Sequence, residues 1–140
     1  VRHVLFRLEK DRYALPLSAI REVIVAPMRW IRVPRAPRVV KGVMNLRGRV
    51  VPVIDLRELL QVPQAALHEQ ARVVLLDRGR RELGLLISDV EGIEIIEKVG
   101  PPAPKASQAV KGLARLGALS VTVLDADALD ATVARAFATK

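Results

Sequence analysis

The sequence predicts a mainly β protein made of two small barrels related by an approximate two-fold axis, with short helices at the ends of its two halves. Three observations carry that prediction. First, the chain repeats itself at an offset of 70 residues. "VKGVMNLRGRVVPVIDLRELL" from Val40 lies over "VKGLARLGALSVTVLDADALD" from Val110 with 8 identities in 21 positions and no gap. Repetition at a fixed period marks two structurally related units. Second, the apolar residues come in short runs punctuated by Gly and Pro, as in small barrels and sandwiches. Third, helical spacing is weak except at the end of each half.

Taken in order, each half follows one pattern. Apolar runs at Val4–Leu8 and Val73–Asp77 read as first strands, and the polar quartets "EKDR" and "RGRR" turn the chain. Second strands follow at Tyr13–Leu17 and Leu83–Ser88, and third strands around Val23 and Ile93. The same offset aligns Arg2, Val4, Leu5, Leu15 and Ser18 with Arg72, Val74, Leu75, Leu85 and Ser88. Pro-rich bends come next, at Pro34 and Pro37 and at Pro101, Pro102 and Pro104. Lys-Gly, a hairpin and an apolar strand ending on Asp complete the pattern. In the hairpin "NLRG", Asn45 and Gly48 tolerate positive φ, so the turn is expected to carry Arg47 outwards. Pro52 offers no N–H to a ladder and predicts an edge strand or a bulge. "DLRELLQ" predicts a short helix with Leu56, Leu59 and Leu60 inward, and "DADALDATVARAF" a second helix. Asp55 and Asp125 are the expected N-caps, because a carboxylate accepts from the orphan N–H groups of a first turn. The domain expectation is one unit over 1–140, with related halves of about 1–70 and 71–140. Each half is too small for a thick core. The halves are therefore expected to share an apolar layer and to leave a groove where they meet.

Composition narrows the classes. The chain is 51% hydrophobic but only 3% aromatic, so its core must be aliphatic. It has no cysteine, which excludes disulfides and thiolate metal sites and is compatible with the reducing cytoplasm. No apolar run reaches the roughly 18 residues of a membrane span, so no direct membrane insertion is expected. The chain starts at Val1 rather than Met, as expected of a chain trimmed at its front or cut from a longer protein. The net charge of +8 is unevenly spread. Residues 1–70 hold 13 Lys/Arg against 6 Asp/Glu, and residues 71–140 hold 10 against 9. Arg29, Arg32, Arg35, Arg38 and Lys41 recur at every third position around Pro34 and Pro37. A polyproline-like path would align these cations on one side. Two readings stay open: a solvated basic edge that discourages aggregation, and a patch for an acidic partner steered by charge.

Catalytic readings find little. The serines at 18, 88, 107 and 120 and the histidines His3 and His68 have no context suggesting a nucleophile and its base. Two histidines without cysteine leave a metal site short of its usual ligands. Asp125, Asp127 and Asp130 read as a helix start and its solvated face, not an acid–base pair. "NLRG" is followed by a strand, so it is neither a P-loop nor a dinucleotide fingerprint. Nucleic acid competes on charge alone, since Phe6, Tyr13, Trp30 and Phe137 are too scattered for a stacking platform.

What remains is a binding module, and here "KGVMNLRGRVVPVIDLR" is informative. It resembles the signature of CheW-like domains, the chemotaxis coupling family. The resemblance extends through "VLFRLEKDRYALPLSAIREVI", "GLLISDVEGIEII", "PPAP" and "VKGLARLGALSVTVLDADAL". It implies a pair of five-stranded SH3-like barrels. It implies a non-enzymatic cytoplasmic adaptor, without cofactor or metal, that joins the cytoplasmic tip of a chemoreceptor to the regulatory domain of a CheA-type histidine kinase. Carried over by position, a receptor groove at the seam, taking a foreign helix tip, would use Ile20, Glu22, Val23, Asn45, Leu46 and Arg47, with Val23 in its floor. Arg47 would either offer donors to the partner or hold the loop internally, and Glu22 would be either a contact or an ion-pair partner. Kinase docking would use Val33, Pro34, Pro101 and Pro102. One departure is the last hairpin, "LGALSV", where many relatives carry Gly-Asp. There Leu119 is expected to be either buried or a contact. Two alternatives stand beside the adaptor: a CheW-like regulatory domain cut from a larger kinase or receiver-fused protein, and a basic β-barrel that binds nucleic acid.

Overall fold

The computed structural model describes residues 1–63, 69–78 and 81–138. His68, and Gly79 and Arg80 of the "RGRR" turn, lie outside the described residues. The strands are β1 (Arg2–Leu8), β2 (Asp11–Pro16), β3 (Ile20–Val25), β4 (Val40–Leu46) and β5 (Arg49–Asp55), then β6 (Arg72–Arg78), β7 (Arg81–Ile87), β8 (Asp89–Ile95), β9 (Val110–Leu116) and β10 (Leu119–Leu124). Two helices close the halves, α1 (Leu56–Leu59) and α2 (Ala126–Ala138). Each strand of the first half starts 69 or 70 positions before its counterpart.

The protein is mainly β, with two five-stranded sheets that form SH3-like barrels. Their orders are β8-β1-β2-β10-β9 and β3-β6-β7-β5-β4. Exchanging each strand for its counterpart five places along converts one order into the other. The barrels are thus pseudo-symmetric, but neither is a contiguous half of the chain. Each draws three strands from one half and two from the other. The halves meet in the antiparallel pairs β1–β8 and β3–β6 and in the parallel pairs β2–β10 and β5–β7. Unfolding one half would therefore strip both barrels of partners.

Burial follows from this exchange. On β6, Val73 and Leu75 line the core of the second barrel, while Val74 and Leu76 face a layer shared by both barrels. On β1, Leu5 faces the first barrel's core, and Phe6 and Leu8 the shared layer. Strands buried on both faces need continuous apolar runs, which is why "VVLL" and "LGLLI" do not alternate. Phe6 and Tyr13 stack in the shared layer at 6.1 Å between ring centroids. Burial, reinforced by Asp11, pushes the Tyr13 phenol above its ordinary pKa. The shared layer also takes Leu15, Ile54, Leu85, Ile87 and Leu124, together with Leu56 of α1 and Leu129 and Val133 of α2. Each such aliphatic side chain contributes about 1.5–3 kcal/mol by leaving water.

Three expectations change here. The layer between the barrels is filled by the chain's own side chains, so among the described residues the expected groove at the seam is closed to a helix tip; apolar surface that two thin cores need cannot stay open. Pro52 lies on β5, an inner strand flanked by β4 and β7. It is tolerated because the ladder to β7 begins only at Val53, leaving its missing N–H outside that pairing. The segment of recurring cations is not polyproline-like either. Val33–Ala36 and Pro37–Val40 are successive turns, closed by Ala36 N–H to Val33 O at 3.3 Å and Val40 N–H to Pro37 O at 3.0 Å. Arg35 has φ +63° within the first of them. The N-caps, by contrast, form as expected. Asp55 accepts from Arg57 N–H at 3.0 Å and Asp125 from Ala128 N–H at 3.0 Å.

Candidate functional site

The β4–β5 hairpin closes in a two-residue turn at Arg47 and Gly48, with φ +50° and +84°. Positive φ at both central residues matches the twist of a hairpin. The Asn45 side chain fixes the turn by accepting from Gly48 N–H at 2.9 Å. The left-handed conformation at Arg47 costs about 1 kcal/mol for a residue with a Cβ. In return its guanidinium reaches Glu22, Nη1 donating to Oε1 at 3.1 Å and Nη2 to Oε1 and Oε2 at 3.0 and 2.7 Å. Strands β3 and β4, which contribute Glu22 and Asn45, are the two outer strands of the second sheet. The ion pair therefore bridges the edge where that barrel closes. Both alternatives considered for Glu22 and Arg47 meet here: each is the other's partner, and Arg47 bonds a carboxylate rather than loop carbonyls.

This bridge is too exposed to serve stability. The Arg47 side chain is 60% accessible, and exposed pairs contribute about 0–1 kcal/mol. Its effect is to hold a guanidinium in one orientation at the barrel rim. On the opposite face of β3, where Val23 pairs with Val74 while Glu22 pairs with Leu75, Val23 and Val25 are exposed, the latter 65% accessible. Arg21 on the same face pairs with Asp77 and Glu82, and Glu82 also pairs with Arg49. The outer strand thus carries a short apolar stripe flanked by Arg21 on one face and the Glu22–Arg47 pair on the other. Ile20 and Leu46 are placed differently: Ile20 packs on the shared layer and Leu46 on the second barrel's core, so they support the surface from behind.

Val33, Pro34, Pro101 and Pro102 are exposed in the β3–β4 and β8–β9 loops. Arg29, Arg32, Arg35 and Arg38 are exposed and Lys41 is half-buried. Leu119 is exposed at the tip of the last hairpin. Among the described residues, no three His, Asp or Glu side chains gather as metal ligands would.

Sequence reasoning missed one charged centre. Arg57 is 3% accessible. Its Nε and Nη2 donate to Asp55 at 3.1 and 2.9 Å, and its Nη1 to Glu9 at 2.7 Å. Burial works against its charge, but the bonds to Asp55 and Glu9 outweigh it and hold the guanidinium above its ordinary pKa. Glu9 lies in the β1–β2 turn and Asp55 ends β5, so the triad ties one barrel to the other. A signal existed in the repeat: Arg57 stands over Asp127 and Glu9 over Gly79, so the pattern breaks where the clamp occurs.

Duplicated barrels that present exposed valines and ordered charges along an outer strand have the architecture of a protein–protein docking module. The sequence profile of the CheW-like domain matches residues 2–132, and the chain belongs to that family. It is 28% identical to the chemotaxis protein CheW of Klebsiella aerogenes over 132 residues, 90% of this chain and 79% of that one. It is 33% identical to the chemotaxis protein CheW of Helicobacter pylori over 101 residues, covering 71% of this chain and 61% of that one. It is 32% identical to the protein PilI of Pseudomonas aeruginosa over 89 residues, 64% of this chain and 49% of that one. The crystal structure of the scaffolding protein TtCheW from Thermoanaerobacter tengcongensis superimposes with a TM-score of 0.80 at 22% identity, over 89% of this chain and 83% of that one. That likeness shows the fold.

Proposed function

We propose that the protein is a non-enzymatic signal-transduction adaptor, acting in the cytoplasm, that couples a chemoreceptor tip to a CheA-type histidine kinase. Family membership supports the reading, and one geometric observation carries it: the outer strand β3 presents the Glu22–Arg47 bridge on one face and exposed Val23 on the other, so a partner at that edge meets both. A helical tip presents apolar side chains and charges together, and asks of its partner an apolar surface with a few fixed polar groups. Val23 and Val25 provide the surface. Arg47 provides the fork, because a guanidinium has five N–H donors and Glu22 occupies only some of them. Kinase docking falls to the Pro-rich loops, through Val33 and Pro34 and through Pro101 and Pro102. The two partners then use different residues, and holding both fixes their relative geometry.

Titration of the protein with a receptor-tip fragment and, separately, with a kinase regulatory domain tests the reading. Both should bind. Arg47→Ala and Val23→Ala should each weaken tip binding by about tenfold, the scale of a central interface residue. Kinase binding should be retained, and Arg47→Ala should cost less than about 1 kcal/mol of stability. A wild-type protein that binds neither partner overturns the adaptor, and equal losses on both sides would report damage to the fold instead.

A further inference from the structure

We propose that the β3–β4 loop is a docking site for an acidic, partly apolar polypeptide segment, with carboxylates seated between Arg32 and Lys41. The first observation is a contrast in pairing. Arg7, Arg12, Arg21, Arg47, Arg49 and Arg57 each hold an Asp or Glu side chain. Among the described residues, Arg29, Arg32, Arg35 and Lys41 have neither an ion-pair nor a hydrogen-bond partner; Lys10, Lys98, Lys105, Lys111 and Arg115 share that state, but more widely spaced along the chain. Four free cations within 13 residues repel one another, and the folded state gains nothing visible from them.

The repeat provides an internal control. The β8–β9 loop makes the same two turns, with Ala106 N–H to Ala103 O at 3.1 Å and Val110 N–H to Ser107 O at 3.0 Å. Lys105 there has φ +65°, as Arg35 has φ +63°. Yet Val99, Pro102 and Gln108 stand where the first loop has Arg29, Arg32 and Arg38. The turn geometry forms without these three arginines, so folding does not explain them.

The geometry supplies the ligand chemistry. Arg32, Arg38 and Lys41 line an open cleft of about 470 Å³, with Pro37 among its apolar walls and Asp55 and Glu58 beside them. Asp55 is committed to Arg57, and Glu58 lies 3.5 Å from Arg38. Arg32 and Lys41 are left to receive an anion. Interleaved with the cations, Met28, Ile31 and Val33 are 99%, 60% and 43% accessible. A nucleic-acid backbone would leave these side chains uncovered. A flat anionic membrane would not reach half-buried Lys41, and its phosphates would face Asp55 and Glu58. An extended chain that alternates carboxylates with apolar residues satisfies both features. The site shares Val33 with the proposed kinase surface and uses none of the receptor-facing residues, so its failure is distinguishable from a failure of tip binding.

The probe is a short fluorescein-labelled peptide of Glu and Leu in a two-to-one ratio, read by anisotropy. Saturable binding is expected, weakening as salt rises from about 0.05 to about 0.3 M because the contact is exposed. A Gln-for-Glu version of the peptide should not bind. The variant Arg29→Gln/Arg32→Gln/Arg38→Gln should weaken binding at least tenfold with an unchanged melting midpoint, and Arg32→Gln alone about threefold. Lys105→Gln in the other loop should change nothing. No saturable binding at low salt, undiminished binding by the arginine variants, or tighter binding to a random DNA duplex or to phosphatidylserine vesicles overturns the proposal.

Discussion

Replacing Arg57 with alanine is expected to destabilise the protein by about 3–5 kcal/mol. The loss would show as a lower urea midpoint with an unchanged slope, the sign of lost stability rather than altered compactness. The Asp55 side chain is only 8% accessible, so removing the guanidinium leaves a carboxylate that water cannot fully solvate. That carboxylate also caps α1, so the first turn of the helix is exposed to the same loss. Arg57→Lys should fall between wild type and Ala, since an ammonium keeps the charge but cannot present a planar fork to Asp55 and still reach Glu9. Glu9→Gln should cost less, about 1 kcal/mol, because Glu9 is 24% accessible and water can take over part of its role. A measured loss below about 1 kcal/mol for Arg57→Ala would mean that the triad holds nothing together. The clamp also bears on function: Glu9 in the β1–β2 turn and Asp55 on β5 belong to different barrels, and an adaptor transmits geometry only as well as its two barrels keep theirs.

Much of the fold could be read from the chain, and the misses share a cause. Strand positions, both helices, both N-caps and the Arg47 turn follow from local rules: apolar runs, turn residues and capping side chains. The exchange of strands between barrels does not. A repeat says that two halves resemble one another, but not whether β2 pairs within its half or with β10. Arg57 escaped for a similar reason. In "DLRELL" it takes the outward position of a helix whose leucines point inward, yet α1 is four residues long and lies where the β1–β2 turn covers it. Burial of that kind is set by the neighbouring element, which the local pattern does not contain. Of the candidate surface, the sequence placed Arg47 at the turn and Val23 on its strand. It could not show that Glu22 and Arg47 would meet across two outer strands, because that contact is created by barrel closure.

The second large effect concerns the Lys-Gly pair that both halves carry. Gly112→Ala is expected to cost about 3 kcal/mol or more, seen as a drop in thermal midpoint at unchanged secondary structure. A Cβ at Gly112 would strike the Gly100 carbonyl oxygen and lie 2.7 Å from Val99 Cγ1. The crossing loop could relieve the clash only by giving up its bridge to β9, Gly100 N–H to Leu113 O at 2.8 Å and Leu113 N–H to Gly100 O at 3.2 Å. The first half has the same crossing: a Cβ at Gly42 would lie 2.7 Å from Ile31 O, where Ile31 bridges Val43. The loops in question carry the proposed kinase surface and the unpaired cations, so their anchoring to β4 and β9 holds those side chains in place. Gly117→Ala separates this effect from ordinary glycine strain. Gly117 has φ +62° and open space around it, so alanine there should cost only about 1 kcal/mol. Gly112 carries no such positive φ, and its penalty is one of close approach. If the two substitutions cost the same, the crossing loops are not anchored where the geometry puts them, and the matching placement of the two Pro-rich loops against β4 and β9 would need another explanation than this contact.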